Sequence, residues 1–398
     1  MEQPNAGAVT IDGLPVVPGR LYPVIQGRLF FTAHTGRDMT ASEIAARPLL
    51  FFYSSNEHED YQNYCSDFGP VDLATVVSFC RRLSKLLNDP RLGQRPVVYY
   101  SDIDIESQTN AAFLMGAYLV VTLGWSPDDA AAPFHGIQPS PFKPFRDATD
   151  LPSDFDLTIR DCLRGLARGF YAGWFDLASF DVEQFKRHDN AGMSRICPTF
   201  IAYKGPADAG PNRPDYALAP DSFLQRFRHA GVSDIVQLNK GQYGTGVYSE
   251  EGIQHHYMPF TDCATPSVDI VATFLRVVQD AEGVVAVHCL AGLGRTGTLI
   301  GLWLMGKMGW GARECIGWMR IVRPGAVIGA QQHFLVQAET TLRGMLHGED
   351  GVANFDASAL LPQADEPDEA AAADAAIRAA QVTDALARRN LPTNLPDS

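Results

Sequence analysis

The segment from Val284 to Gly297 reads VVAVHCLAGLGRTG, and it decides the fold of the region around it. Its apolar start predicts a buried strand, after which come a cysteine, a glycine-rich loop, an arginine and a helix. Gly292 and Gly294 permit the backbone conformations in which successive N–H groups turn toward one point. The start of the following helix also attracts anions. We therefore predict a pocket for a tetrahedral dianion, with Cys289 at its floor.

The side chains of this loop predict covalent catalysis on a phosphate ester. Positive surroundings of this kind stabilise the thiolate form of a cysteine, so we expect the Cys289 sulfur to attack phosphorus. Arg295 supplies a planar donor with two prongs for two phosphate oxygens. His288 would orient the loop, and the Thr296 hydroxyl would help the sulfur leave in the second step. The predicted phosphate-binding residues are Leu290, Ala291, Gly292, Leu293, Gly294 and Arg295.

Asp262 is the first candidate for the acid that protonates the departing oxygen. It precedes a helix start marked by Thr265 and Pro266, on a loop that could close over bound substrate. A loop aspartate that only accepts backbone N–H bonds is an equally good interpretation of the same residue. Other acids nearby in sequence are Asp269, Asp280 and Glu282.

A side-chain amide could position the water that hydrolyses the thiophosphate intermediate, with Asp262 as the base. Gln331 and Gln332 follow the turn from Arg323 to Gly325, so their helix start could face the cysteine loop. On its own, a glutamine pair at a helix start is more often ordinary surface. Both interpretations stay open from the sequence.

Length and composition describe an acidic protein with reduced cysteines. The 398 residues are 46% hydrophobic, enough for two domains plus tails, and no apolar run approaches a membrane span. Seven cysteines without framework spacing indicate a reducing compartment, so we predict a cytoplasmic or nuclear location. The formal net charge of −14 disfavours nucleic acid and membrane surfaces as partners. No compact cluster of metal-ligating residues stands out in the sequence, so we expect no metal and no other cofactor.

The chain divides into two α/β regions, each predicted to be a central sheet flanked by helices. The first spans residues 21–175 and the second spans residues 196–346, with a linker helix over 176–195. Residues 1–20 are predicted to be flexible. Residues 347–398 form an acidic, alanine-rich tail, for which we expect a mobile helix without a core.

The two regions echo each other. A strand at Val97–Tyr100, a polar loop, and a helix from about Asn110 that ends in Gly-Trp parallel the stretch that begins at Val284. The first copy has neither cysteine nor arginine from Pro96 to Asn110, so it could keep the fold but could not form a thiolate nucleophile. Coincidental similarity between two strand–helix units is the alternative.

A wider set of motifs accompanies the cysteine loop. Inside the second region these are Ala281-Glu282-Gly283, Val287 to Ile300, Arg323-Pro324-Gly325 and Gly329-Ala330-Gln331-Gln332. Elsewhere they are Asp67-Phe68-Gly69-Pro70, Asn110 to Leu114, Pro144 to Ala148, and Leu238-Asn239-Lys240. With them the chain resembles, from about residue 20 to 340, the mitotic-exit dual-specificity protein phosphatases of the cell-division-cycle-fourteen family, within the tyrosine-protein phosphatase superfamily.

The resemblance implies two tandem dual-specificity-phosphatase-like domains, of which only the second is catalytic. It assigns Cys289 as nucleophile, Arg295 as phosphate clamp and Asp262 as general acid. It also implies action on phosphoserine, phosphothreonine and phosphotyrosine, with a preference for phosphoserine followed by proline, the product of cyclin-dependent kinases in cell division. Spindle or centrosome association follows from the resemblance alone. By the same resemblance, the acidic residues of a substrate groove would be Asp181, Glu183 and Asp189.

Two positions depart from the family pattern. Cys263 stands where the family usually has glycine after the acid, and a second thiol there could form a protective disulfide with Cys289. The linker helix, strongly acidic in relatives, here includes Lys186 and Arg187, which puts a preference for downstream basic residues in doubt.

Two other functions compete with protein dephosphorylation. A phosphoinositide phosphatase uses the same loop chemistry but often places lysines in the loop, where this chain has Leu290 and Leu293. A non-catalytic phosphopeptide-binding protein would not need the complete set of Cys289, Arg295, Thr296 and Asp262. Turnover of an aryl phosphate separates the second alternative from an enzyme.

Overall fold

The structure is a computed structural model, and it describes residues 9–11, 14–16, 19–34, 36–54, 61–93, 95–135, 137, 140, 142–208, 217–241, 243–346 and 369–389. These residues form two compact units. The first unit falls within Met1–Gln62, Phe68–Phe145 and Asp156–Val182. The second unit falls within Asn63–Asp67, Arg146–Phe155 and Glu183–Ser398.

The first unit contains a four-stranded sheet in the order β3-β4-β6-β5, with helices packed around it. Its strands are β3 (Tyr22–Ile25), β4 (Leu29–His34), β5 (Phe51–Tyr53) and β6 (Val97–Asp102), preceded by a hairpin of β1 (Val9–Ile11) and β2 (Leu14–Val16). Its helices are α1 (Arg37–Ala46), α2 (Leu73–Leu87), α3 (Ile105–Val121), α4 (Pro127–His135) and α5 (Ile159–Tyr171). Helix α3 is buried on nearly every face, so it is the central helix of this unit.

The second unit contains a five-stranded sheet in the order β10-β9-β11-β8-β7. The strands are β7 (Met193–Arg195), β8 (Phe200–Lys204), β9 (Val232–Gln237), β10 (Gln254–Tyr257) and β11 (Val284–Cys289). After α6 (Val182–Asn190) and a 3₁₀ turn at Pro220–Phe223, the helices are α7 (Leu224–Ala230), α8 (Gly246–Ser249), α9 (Val268–Asp280), α10 (Gly294–Met308), α11 (Ala312–Val322), α12 (Ala330–Leu346) and α13 (Glu369–Arg389). The expected fold class, two α/β units that each carry a central sheet and flanking helices, is confirmed.

Strand β11 occupies the middle of the second sheet, and both of its faces are covered. All six of its residues are buried, and it pairs in parallel with β8 and β9. Continuous apolar sequence is typical of parallel strands that are covered on both faces. The strand therefore delivers its last residue, Cys289, at the carboxyl edge of the sheet, immediately before the loop that leads to α10.

The tail corrects one expectation. The predicted helix is present as α13, but the prediction that it lacks a core is wrong, because Ala375, Val382 and Leu386 are buried on one of its faces. Each alanine buries little area, so the sequence pattern of this face is weak. This buried face is recognised only in the folded structure, where it packs against other residues.

Among the described residues, no helix has the length and apolar content needed to cross a membrane.

Candidate active site

The loop between β11 and α10 is shaped by a glycine that no other residue could replace without movement. Gly292 has a φ of 67°, and a Cβ at this position would collide with the carbonyl oxygen of Tyr203. The loop therefore lies directly against the end of strand β8. Within the described residues, no side chain caps the start of α10, whose N-cap position is Leu293. The first N–H groups of this helix are thus available to an anion.

Hydrogen bonds from outside the loop turn its carbonyl groups away from its centre. The buried guanidinium of Arg323 donates to the carbonyl oxygens of Ala291, at 2.9 Å, and of Gly292. The Gly205 N–H donates to the Leu290 carbonyl at 3.0 Å. In a trans peptide the C=O and the following N–H point in opposite directions. The N–H groups of residues 291–293 are consequently directed to the opposite side, toward the interior of the loop.

The Arg295 guanidinium is buried, and several contacts fix its orientation. Its Nη1 donates to the carbonyl oxygens of Leu238, at 3.0 Å, and Phe260, at 2.8 Å. Its Nη2 lies 3.0 Å from the Oδ1 of Asp262. Its Nε is buried and has no hydrogen-bond partner among the described residues. A buried donor is costly to leave unsatisfied, so this Nε is suited to an incoming anion.

Asp262 lies beside the Arg295 guanidinium, and its role as the acid stays a prediction. Its side chain is 26% exposed, so it can reach both solvent and the guanidinium. The alternative interpretation is also met, because its Oδ1 accepts the Cys263 N–H at 3.0 Å. The two interpretations are compatible, since a backbone bond to one oxygen leaves the other free to carry a proton.

Cys263 adopts a conformation that explains why a glycine suits this position. Its φ is 55°, in the left-handed region that costs energy for a residue with a Cβ. The thiol is buried, and burial, together with the neighbouring Asp262 carboxylate, raises its pKa above the ordinary value. Cys263 and Cys289 are both free thiols in the structure, so the protective disulfide stays a prediction.

Gln331 connects residues 261–264, here called the acid loop, with residues 290–293 and the start of α10, here called the phosphate loop. Its Nε2 donates to the Ala264 carbonyl at 2.9 Å, and its Oε1 accepts the Ile328 N–H at 3.1 Å. That Oε1 would be 2.7 Å from a Cβ on Gly294, so the amide packs on the start of α10. Gln332 points elsewhere, since its Oε1 accepts from Arg320 at 2.7 Å. Of the two predicted glutamines, only Gln331 lies in the site.

Two further predicted residues, His288 and Thr296, are fully buried. The Thr296 hydroxyl has no hydrogen-bond partner in the described part of the chain, which leaves it free to donate to a nearby acceptor. The His288 Nδ1 lies 3.1 Å from the Cys289 carbonyl, and its Nε2 lies 2.9 Å from the Tyr243 hydroxyl. Burial lowers the pKa of His288 to about 3, so the ring is neutral near pH 7. Since a carbonyl only accepts, Nδ1 carries the proton and Nε2 accepts from Tyr243.

Known proteins are similar in sequence to most of this chain. Residues 23–169 match a family model described as "Dual specificity protein phosphatase, N-terminal half", and residues 209–308 match one described as "Polymorphic toxin system, DSP-PTPase phosphatase". The dual specificity protein phosphatase CDC14C of Homo sapiens is 36% identical over 327 residues, which cover 81% of this chain and 72% of that protein. The chain belongs to the CDC14 family.

Other CDC14 proteins are longer than the matched part. CDC14A of Mus musculus is 37% identical over 324 residues, 80% of this chain and 53% of its own length, and CDC14A of Homo sapiens is 40% identical over 297 residues, 73% and 50%. The chain thus spans about half the length of these two relatives. The match to the solved structure titled "Crystal structure of Tk-PTP in the active form" covers 37% of this chain and 95% of that protein's chain, with 24% identity and a TM-score of 0.31.

The acidic residues that the resemblance predicts for a substrate groove lie on α6 or directly before it. Helix α6 has no buried residue, and Asp181 and Glu183 are exposed. Asp189 is half-buried, and its charge acts to raise the pKa of Lys204. Lys204 lies opposite Cys289 in the register of β8 and β11. Burial, followed by Arg323 and Arg389, lowers the pKa of Lys204 to about 8, and Asp189 opposes that change. The role of these acidic residues in substrate binding remains a prediction.

Sequence reasoning missed two residues that shape this CDC14-family site. The sequence places Arg323 in a turn and in a family motif but assigns it no role, whereas in the structure it donates to two loop carbonyl oxygens. Tyr243 was not singled out, yet it sets the hydrogen bonding of His288. Both lie far from Cys289 in sequence, and an arginine or a tyrosine in a loop has many ordinary roles. The arginine of the Arg323–Gly325 motif was the one available signal.

Proposed function

We propose that this chain is a cysteine-dependent protein phosphatase that hydrolyses phosphoserine, phosphothreonine and phosphotyrosine through a thiophosphate intermediate. One observation carries the proposal. Cys289 ends a central strand, the described side chains leave the start of the following helix uncapped, and the buried Nε of Arg295 on that helix has no hydrogen-bond partner among the described residues. A cysteine on a core strand would need none of these donors. A phosphate dianion needs all of them.

In the first step, the Cys289 sulfur attacks phosphorus while the bond from phosphorus to the ester oxygen breaks. The loop N–H groups and Arg295 stabilise the negative charge on the transferring oxygens, usually the largest contribution in such reactions. Asp262 donates a proton to the departing oxygen, a contribution worth roughly 10²–10⁴ in rate. Its 3.0 Å contact with Arg295 places it beside the group that would bind the phosphate.

In the second step, water attacks the thiophosphate and the bond from sulfur to phosphorus breaks. Asp262, now ionised, accepts the proton of the water. Gln331 orients that water from its position between the acid loop and Gly294. The Thr296 hydroxyl donates to the sulfur as it leaves as a thiolate, since this hydroxyl has no other partner in the described residues. The cycle ends with inorganic phosphate and free Cys289.

The substrate class follows from the family. Its members are named dual specificity and tyrosine-protein phosphatases, which supports action on all three phosphorylated side chains. We extend this to a preference for phosphoserine followed by proline, and hence to reversal of cyclin-dependent-kinase phosphorylation in cell division. Lys186 and Arg187 on the exposed surface of α6 weaken the case for a downstream basic residue in the substrate. Phosphopeptides with varied residues after the serine test both points.

Turnover of an aryl phosphate and of a phosphoserine-proline peptide tests the proposal, with Cys289→Ser as the decisive variant. We expect Cys289→Ser to lose turnover of both substrates, by about 10⁴-fold or more, because an attacking group is removed. Cys197→Ala, at another buried cysteine of the second unit, is the control and should keep turnover. A wild type that binds phosphopeptide without turnover would instead be a binding protein. Faster turnover of soluble phosphoinositides than of peptides would identify a phosphoinositide phosphatase.

A further inference from the structure

The C-terminal helix α13 packs on loops of the proposed active site. Its buried residues share one apolar cluster with residues of the acid loop, the phosphate loop and the turn before α12. The members of the cluster are Cys263, Ala291, Leu293, Ile328, Ala375, Val382 and Leu386. The helix therefore touches three segments that the proposed reaction requires.

A buried arginine lies on the same face of α13. The Arg378 side chain is only 8% exposed, and its Nη1 lies 3.0 Å from the Oδ2 of Asp147, which is 1% exposed. Arg378 also bonds to Asp374 at 2.6 Å and to the Thr149 hydroxyl at 3.2 Å. A buried ion pair is maintained only when both partners are well satisfied, and removing one partner leaves an uncompensated charge. Arg378 and Asp147 consequently depend on each other.

Asp147 links Arg378 to the turn before Gln331. The same Oδ2 accepts the Gly329 N–H at 2.8 Å. Gly329 has a φ of 57°, and a Cβ there would lie 2.6 Å from the Cδ of Arg378. The arginine stem therefore packs directly on the backbone of this glycine. Two residues later, Gln331 bonds to the acid loop and packs on the phosphate loop.

The turn itself is held in a strained shape. Val327 has a φ of 63°, a conformation rarely adopted by a β-branched residue. Backbone of this kind persists only where its surroundings hold it. Arg320 bonds to the carbonyl oxygens of Ala326, at 3.1 Å, and Val327, at 2.9 Å. Asp147 and Arg378 hold the other end of the turn, at Gly329.

We propose that Arg378 is a positioning residue for the reaction, acting through Asp147 on the Gly329 turn and so on Gln331. The inference rests on the proposed function, because the part of Gln331 in the second step belongs to that function. Loss of Arg378 should release the turn and misplace the Gln331 amide. Hydrolysis of the thiophosphate should then slow, while attack by Cys289 continues. The C-terminal helix thereby becomes part of the catalytic unit.

Rapid mixing of the full chain with an activated aryl phosphate tests the inference with Arg378→Met. The initial burst of aryl alcohol reports the first step, and the steady rate that follows reports the second. We expect the steady rate to fall by roughly 10- to 100-fold, as a misplacement of about 1 Å can cost 10²-fold. The burst rate, and the burst amplitude per folded molecule, should be retained. A merely structural role would lower burst and steady rate in the same proportion, and that result would overturn the inference.

Three variants keep the test decisive. Arg378→Lys retains the charge and should recover part of the steady rate. Arg388→Met removes an exposed arginine of the same helix and should match the wild type. Should Arg378→Met fail to fold, Arg378→Lys is compared with the paired variant Arg378→Met with Asp147→Leu, which leaves neither a buried charge at this position nor an acceptor for the Gly329 N–H. An unchanged steady rate in the paired variant overturns the inference alone, whereas absence of turnover in the wild type overturns the proposed function and the inference with it.

Discussion

The two units of the molecule carry the same strand–loop–helix element with opposite chemistry at the helix start. In the first unit, β6 leads through two residues to α3, whose N-cap Asp104 accepts the Ser107 N–H at 2.8 Å. In the second unit, β11 leads through a four-residue loop to α10, which no side chain caps within the described residues. The position that a carboxylate fills in the first unit is left open to an anion in the second.

The buried parts of the two elements hardly differ. Both strands are largely buried, and both helices are buried on nearly every face. The difference lies in the cap, in the length of the loop, and in the absence of cysteine and arginine from Pro96 to Asn110. A phosphate site can thus be present or absent on the same core, because the core does not determine which negative group occupies the helix N-terminus.

After Cys289→Ser, the largest loss should come from Asp262, the carboxylate beside the Arg295 guanidinium of the second unit. Asp262→Asn keeps the shape but cannot donate a proton, so turnover of a phosphoserine peptide should fall by roughly 10²–10⁴. An activated aryl phosphate, whose leaving group needs no proton, should lose less. Asp104→Asn, at the carboxylate of the first unit, should leave both rates unchanged. Equal losses on the two substrates would assign the acid role to another residue.

The next effect concerns the arginine that the first loop lacks. Arg295→Lys keeps the charge but loses the planar fork, so it cannot hold the two carbonyl oxygens and also bind phosphate. We expect turnover to fall by roughly 10²–10³, the usual cost of one lost oxyanion donor. Arg81→Lys in the first unit, where Arg81 also donates to several carbonyl oxygens, is the matched control. Wild-type rates of turnover in Arg295→Lys would mean that a positive charge at this position, without the planar guanidinium, is enough for phosphate binding.

A smaller effect should appear in the pH dependence of stability. Burial lowers the pKa of His288 to about 3 in the folded state, so between pH 6.5 and 3 only the unfolded state takes up this proton. Stability should therefore fall as pH falls below 6.5, with His288 costing about 1.4 kcal/mol at pH 5.5 relative to pH 8. His288→Asn should lose this part of the slope in denaturant unfolding at the two pH values.

The first unit offers a comparison for that slope. Burial also lowers the pKa of His34 at the end of β4, so His34→Asn should change the pH dependence with the same sign. A slope that is the same in wild type and His288→Asn would show that the ring is protonated or exposed in the folded protein.

The smallest effect sharpens the comparison at the helix caps. Asp104→Ala should lower the free energy of unfolding by about 1 kcal/mol, because the Ser107 N–H loses its acceptor. Turnover should not change. Ser267→Ala, at the N-cap of α9 in the second unit, should have a similar cost, since its hydroxyl accepts the Ile270 N–H. A loss of turnover in Asp104→Ala would give the first unit a part in the reaction that its loop does not indicate.

Local sequence predicted most of the central elements, and the exceptions have physical reasons. The strand expected at Val284 and the helix expected after Arg295 are β11 and α10. Helix α3 begins at Ile105, a full turn before the predicted start at Asn110, because its first turn is polar and is stabilised by the Asp104 cap. Polar first turns do not show apolar periodicity, so the pattern starts late.

The candidate site divides in the same way. Cys289, the loop residues and Arg295 lie within seven consecutive positions, so any fold that forms the strand and the helix brings them together. Arg323, Tyr243 and Gln331 approach the loop only through the packing of other elements. Because a turn precedes Gln331 and Gln332, the sequence could predict a glutamine in the site. Only the structure shows that Gln331, and not Gln332, lies there.

The amino-acid sequence alone determined the chemistry of the loop, because a nucleophile, two glycines and an arginine at short spacing can form a phosphate cradle from local backbone geometry. The tertiary structure decided what orients that cradle: the outward carbonyls on Arg323, the neutral His288 and the docking of α13 through Arg378 and Asp147. These contacts join residues 31 to 231 positions apart. Their free energy exists only after the chain has packed, so no local pattern records it.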